Sequence, residues 1–149
     1  MRKFSFPLHR VLEWRRTQLE TEQHRGRELR AELERLETAA RRLLEERETE
    51  RRRILAAAQT EGRDFAALGG YERGCRSALR DLDRRAQDCL GRITAQNQRL
   101  VEARRRVRVL ELARERRLEH WRAESSREIE ALAAEAWLAR WEAYVHRRT

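Results

Sequence analysis

One proline, six glycines, two cysteines and a single lysine are all that 149 residues contain of these four types. Each scarcity excludes something. With so few breakers, a fold built from many turns is excluded, and long helices are favoured. Cys75 and Cys89 stand about 21 Å apart along one helix axis, so they cannot bridge within that helix. There is no CxxC pair and no cluster of the four histidines, which removes a zinc site from consideration. Reduced, buried thiols are expected instead. No apolar run approaches the roughly 20 residues needed to cross a bilayer. The N-terminus carries no continuous apolar stretch, so no secretory signal is expected.

What is abundant is charge. Asp, Glu, Lys and Arg make up 41% of the chain, with a formal net charge of +9. Only Lys3 is a lysine; every other member of the Lys/Arg set is arginine. The excess attracts acidic partners of any kind. Yet 26 acidic residues are interleaved with the 35 basic ones, so most charge is compensated locally. The densest basic stretch, Arg99 to Arg108, is interrupted by Leu100, Ala103 and Val107 at seam spacing. It reads as the solvated flank of a coiled coil rather than as a phosphate grip. A leucine-zipper basic region is also excluded, because such a region precedes its heptads, whereas here the heptads run through the arginines.

The apolar residues form narrow stripes. From Leu8 a heptad frame runs through Leu12, Arg15, Leu19, Glu22, Gly26, Leu29, Leu33, Leu36, Ala40, Leu43, Arg47, Glu50 and Ile54. Most of these are Leu, Ile or Ala, which identifies a seam. The polar exceptions predict loose packing at Arg15 to Gly26 and at Arg47 to Glu50. A second frame runs through Leu79, Leu82, Ala86, Cys89, Ile93, Gln96, Leu100, Ala103, Val107, Leu110, Arg114, Arg117 and Trp121, and slips after Arg117. Between the frames Gly62, Gly69, Gly70 and Gly74 cluster, and each glycine costs a helix about 1 kcal/mol relative to alanine.

The fold expected is all-α: a single domain, 1–149, of two long helices in an antiparallel coiled-coil hairpin. Helix one covers about 7–59, with Ser5 as N-cap and Pro7 in the first turn. The glycine-containing turn covers about 62–70, and helix two about 71–147. Pairing Ile54 with Leu79 brings Leu8 to the neighbourhood of Ser125. Helix two therefore outruns helix one by about twenty residues, about 30 Å. That overhang carries Ile129, Leu132, Trp137, Trp141 and Tyr144. It either bends back onto Phe4, Phe6 and Trp14 or docks on another protein. Phe65, Leu68 and Tyr71, in or beside the turn, are candidates for a second docking point.

No nucleotide-binding loop, dinucleotide fingerprint or HExxH appears. Two helices make no concave, water-poor site for catalytic carboxylates. The expectation is a protein that is not an enzyme and needs no cofactor.

The opening Phe4-Ser5-Phe6-Pro7-Leu8-His9-Arg10-Val11-Leu12-Glu13-Trp14-Arg15 resembles that of the FliJ family of flagellar export proteins. The family pattern is F-x-F-x-L-x-x-V/L-L-x-x-R, matched by Phe4, Phe6, Leu8, Val11, Leu12 and Arg15. Length, a single helical hairpin and a tyrosine opening the second helix (Tyr71, followed by Leu79 and Leu82) agree as well. Near the C-terminus Glu128 and Leu132 fit the family pattern. Ala133 and Ala134 replace its two acids, and Glu135 falls one position late.

The resemblance implies a component of the flagellar type III export apparatus, similar to the central stalk subunit of rotary ATPases. The implied partners are the ring of the export ATPase, the cytosolic part of the export-gate membrane protein, and empty export chaperones. The hairpin ends would meet the ATPase through Phe4, Phe6, Leu8, Val11, Leu12, Arg15, Ile129, Leu132, Trp137 and Trp141. The tip would meet the gate or a chaperone through Phe65, Leu68 and Tyr71. The implied location is cytoplasmic, peripheral to the inner membrane. The alternatives are the equivalent stalk of a virulence secretion system, a nucleic-acid-binding coiled coil, and a homodimeric spacer.

Overall fold

The computed structural model describes residues 3–57 and 61–147. Two α-helices account for almost all of them: α1, His9–Ala56, and α2, Gly62–His146. The first has 48 residues and the second 85, and there is no strand among the described residues. The expected all-α class and the inequality of the two helices are both present. The chain comprises two compact units. One comprises the described parts of Met1–Gln18 and Ala103–Thr149, and the other is Leu19–Glu102.

Heptad spacing forecasts the seam closely. In α1, Leu12, Gly26 and Leu36 are buried, and every other frame position except Leu8 is half-buried. In α2, all ten frame positions from Leu79 to Leu110 are buried or half-buried. The stripe also extends back through Cys75, Glu72 and Leu68 at the same three-four spacing. Arg114 and Arg117, placed on the seam by the frame, are exposed. Ala113 and Leu118 take the inward positions, so the slip begins just after Leu110. The exchange is cheap for a guanidinium, which stays hydrated instead of being buried unpaired.

The turn is not where the glycines suggest. Residues 62–70 are the opening turns of α2, and no glycine has a positive φ. Helix α1 ends at Ala56, where the Ala57 N–H closes back on the Ile54 carbonyl at 3.3 Å. Of the segment expected to extend α1 to residue 59, 58–60 lie outside the described residues. Two terms outweigh the glycine cost. One is the burial of Leu68 and Cys75. The other is a cap. Asp64 accepts the Glu61 N–H at 2.9 Å, while the Glu61 carbonyl accepts the Asp64 and Phe65 N–H groups at 2.9 and 3.4 Å. An acid at the third helical position reaching back to the capping residue is one half of a capping box. Asp64→Ala is expected to destabilise the protein by about 1 kcal/mol. An unchanged thermal midpoint would remove this cap from the account.

The earlier start of α2 slides the pairing. Within the unit Leu19–Glu102, the Cys89 thiol donates to the Leu29 carbonyl at 3.3 Å, and Gln96 reaches Glu22. Ile54 lies beside Asp64 and Ala67, not Leu79. Partners in α2 thus come about two heptads earlier than expected. The helices run antiparallel, since 22 meets 96 and 29 meets 89. In the unit containing both termini the order is again antiparallel: Arg16 pairs with Glu111 at 3.0 Å, and the Phe4 ring meets Trp121.

Candidate partner-docking site

In the unit that contains both termini, the first described residues, 3–8, precede the helix and are not helical. The first backbone bond runs from the His9 N–H to the Phe6 carbonyl at 3.0 Å, so Phe6, not Ser5, opens the turn that leads into α1. Pro7 occupies the position where a missing N–H costs nothing, as expected. Phe4 sits edge-on to Trp121, ring centroids 6.0 Å apart at 63°. This geometry favours aromatic pairs, because ring edges are positive and faces negative. Leu12 is fully buried and Phe6 half-buried. Arg16 bridges Glu13 and Glu111, both at 3.0 Å, and the Glu111 bond foremost holds its guanidinium above the ordinary arginine range. The Arg15 guanidinium lies 4.5 Å above the Trp14 ring and donates to Gln18. Of the N-terminal residues expected at a partner surface, Phe4, Phe6 and Leu12 are therefore turned to packing. Leu8 and Val11 remain exposed.

Beyond Ser125 the picture changes abruptly. Every residue from 126 to 147 is exposed, though the stretch is helical to His146. The overhang does not fold back on Phe4, Phe6 or Trp14. Ile129, Leu132, Trp137 and Trp141 are each at least half exposed, at 50, 62, 62 and 54%. Leu138, Tyr144 and Val145 join them. Trp137 and Trp141 stack with centroids 5.9 Å apart and planes at 11°, and Tyr144 extends the row 6.2 Å from Trp141. Large apolar side chains that are contiguous and solvated mark an interaction surface, and Trp and Tyr are its commonest anchors.

The residues expected at the tip are not gathered into one knob. Leu68 is buried in the seam, whereas Phe65 and Tyr71 are exposed. The neighbouring Cys75 thiol, and after it desolvation and the Glu46 and Glu50 carboxylates, hold the Tyr71 phenol above its usual range. Cys75 and Cys89 are buried free thiols, as the sequence suggests. Among the described residues no group of His, Cys, Asp and Glu could hold a metal, and no helix is long and apolar enough to cross a membrane. A cleft of ≈ 940 Å³ beside Phe6, Pro7 and Trp121 is lined also by His120 and Glu124. These two form an exposed pair at 3.4 Å, one helical turn apart, with none of the desolvation that acid–base catalysis needs.

Comparisons with family models, with curated proteins and with solved structures return no match for this chain.

Proposed function

We propose that this protein is the stalk and chaperone-escort component of a flagellar type III export apparatus. It engages the export ATPase ring with the unit that carries both termini. The observation that carries the reading is the solvated apolar overhang, 126–147, on the unit that also holds the FliJ-like opening Phe4 to Arg15. Within this unit α2 is packed by the non-helical N-terminal segment at Trp121 and runs on alone beyond Ser125, a taper that suits insertion into a narrow pore. Its unequal faces would bias the ring's subunits unequally, and the rod itself needs no catalytic residue. Leu8 and Val11, with Ile129, Leu132, Trp137 and Trp141, are the contacts proposed for the ATPase. Phe65 and Tyr71 are those proposed for the export gate or for empty chaperones. The implied location is cytoplasmic, peripheral to the membrane.

The test is ATP hydrolysis by a flagellar export ATPase, measured with and without the purified chain. A several-fold stimulation is expected from the full chain and none from a chain ending at Ser125. Unchanged hydrolysis, together with no co-sedimentation of the two proteins, would sink the reading.

A further inference from the structure

The overhang carries rows of charge flanking an apolar stripe, with every residue from 126 to 147 exposed. Elsewhere Arg16–Glu111 and Arg92–Glu32 pair across the seam, and many acids and bases three or four residues apart pair along their own helix. Glu13–Arg16, Glu22–Arg25, Glu48–Arg52, Glu50–Arg53 and Asp81–Arg84 are all such pairs, at 2.6 to 3.2 Å. Past Ser125 the flanking charges have no second helix beside them. Ile129, Leu132, Ala136, Ala139 and Ala143 follow one another by three and four, a heptad stripe that continues the inward face of α2. Glu128, Glu135 and Glu142 precede this stripe's positions on one flank. Arg140 and Arg147 follow them on the other. Glu135 and Arg140 are five apart, as are Glu142 and Arg147. Five residues are about 140° around a helix, so each pair straddles the stripe instead of closing on itself. None of these five side chains takes part in an ion pair among the described residues, and all are exposed. Rows of this kind on either side of an apolar seam set the partner and orientation of a coiled coil.

A second copy meets an obstacle in either orientation. An antiparallel self-pair sets each flank against its own kind, glutamates facing glutamates. A parallel self-pair would match Glu135 with Arg140 and Glu142 with Arg147. But it would also bring together the same face of 103–125, which the chain's own N-terminal segment covers through Phe4 on Trp121 and through Leu12.

The geometry points to an amphipathic helix of another protein as the occupant of this stripe, with a basic row facing the glutamates and an acidic row facing the arginines. Its apolar face carries large residues, because Ala136, Ala139 and Ala143 leave room that small partners would not fill. This rests on the docking reading above through Ile129 and Leu132, and states the partner's chemistry there; Trp137, Trp141 and Tyr144 lie about 120° around the helix from this stripe.

The probes are three designed four-heptad helical peptides with leucine seams. One has a basic and an acidic flank, one has two basic flanks, and one has two acidic flanks. The full chain is expected to bind the mixed peptide at least tenfold more tightly than either other. A chain with Arg140→Glu and Arg147→Glu, both solvated positions, is expected to prefer the all-basic peptide instead. Equal affinities, a preference unmoved by the double substitution, or no binding to any peptide would overturn the inference. So would sedimentation showing a dimer that loss of 126–149 abolishes. None of these outcomes bears on ATPase stimulation, so the two readings fail separately.

Discussion

Leu12→Ala is expected to lower the unfolding free energy by about 2–5 kcal/mol, whereas Val11→Ala beside it stays within about 0.5 kcal/mol. The two residues are neighbours in sequence and opposites in environment: Leu12 is 0% exposed and Val11 42%. The seam here is narrow, so few other side chains can share the loss. Removing three carbons from Leu12 leaves a gap that rigid helices cannot close, and the gap's lining forfeits its dispersion contacts. The effect should reach beyond stability. Leu12 is the buried anchor nearest the N-terminal segment that lays Phe4 on Trp121. Weakening it should loosen that ring pair and flatten the near-ultraviolet circular dichroism of the tryptophans. Urea unfolding of the two variants decides the matter. Equal midpoints would mean that Leu12 is not the anchor its burial makes it.

The second large effect has opposite signs at one position. Gly26→Ala is expected to stabilise by about 0.5–1 kcal/mol, the usual gain for replacing a helical glycine. Gly26→Leu is expected to destabilise by about 1–3 kcal/mol through overpacking. The reason lies across the seam. Gln96, 6% exposed, donates its amide to the Glu22 carbonyl at 3.0 Å and to the Glu22 carboxylate. A side chain at position 26 stands over the carbonyl of residue 22, one turn earlier. With glycine there, that carbonyl is open to a partner. A Cβ would lie 4.0 Å from the Gln96 Cγ and 3.9 Å from the Arg30 guanidinium, an ordinary contact, so alanine fits. Leucine reaches further and displaces the amide, which is then left buried and unpaired at a further cost of about 1–3 kcal/mol. Thermal unfolding of both variants is the measurement, and a shift of the same sign for both would refute this account.

The glutamine also bears on what could be read in advance. Period alone identified nearly every seam position, including the polar ones, because a heptad repeat fixes which side of a helix faces its neighbour. Even Glu22, Gly26 and Gln96 were placed on the seam. That three such residues answer one another was not visible, since it depends on which turn of α1 meets which turn of α2. That register follows from the connection between the helices, and the glycines misdirected it. Gly62, Gly69 and Gly70 raise the cost of a helix without forbidding one, and Asp64 three residues after Glu61 tipped the balance. Exposure of Ile129 to Trp141 was foreseeable from unequal helix lengths. The loss of Phe4, Phe6 and Leu12 to internal packing was not, because it depends on the path of the non-helical residues that precede the first helical turn.

The two thiols turn the seam into its own reporter. Cys75 is 4% and Cys89 1% exposed, and both stand on the inward row of α2 within Leu19–Glu102. A bulky alkylating reagent can reach neither while the helices are closed. Each is consumed only as fast as its own stretch of the pair separates, with the open state's population setting the rate. The Cys89 thiol is further tethered to the Leu29 carbonyl. The ratio of the two labelling rates therefore records from which end the zipper frays, without any introduced label.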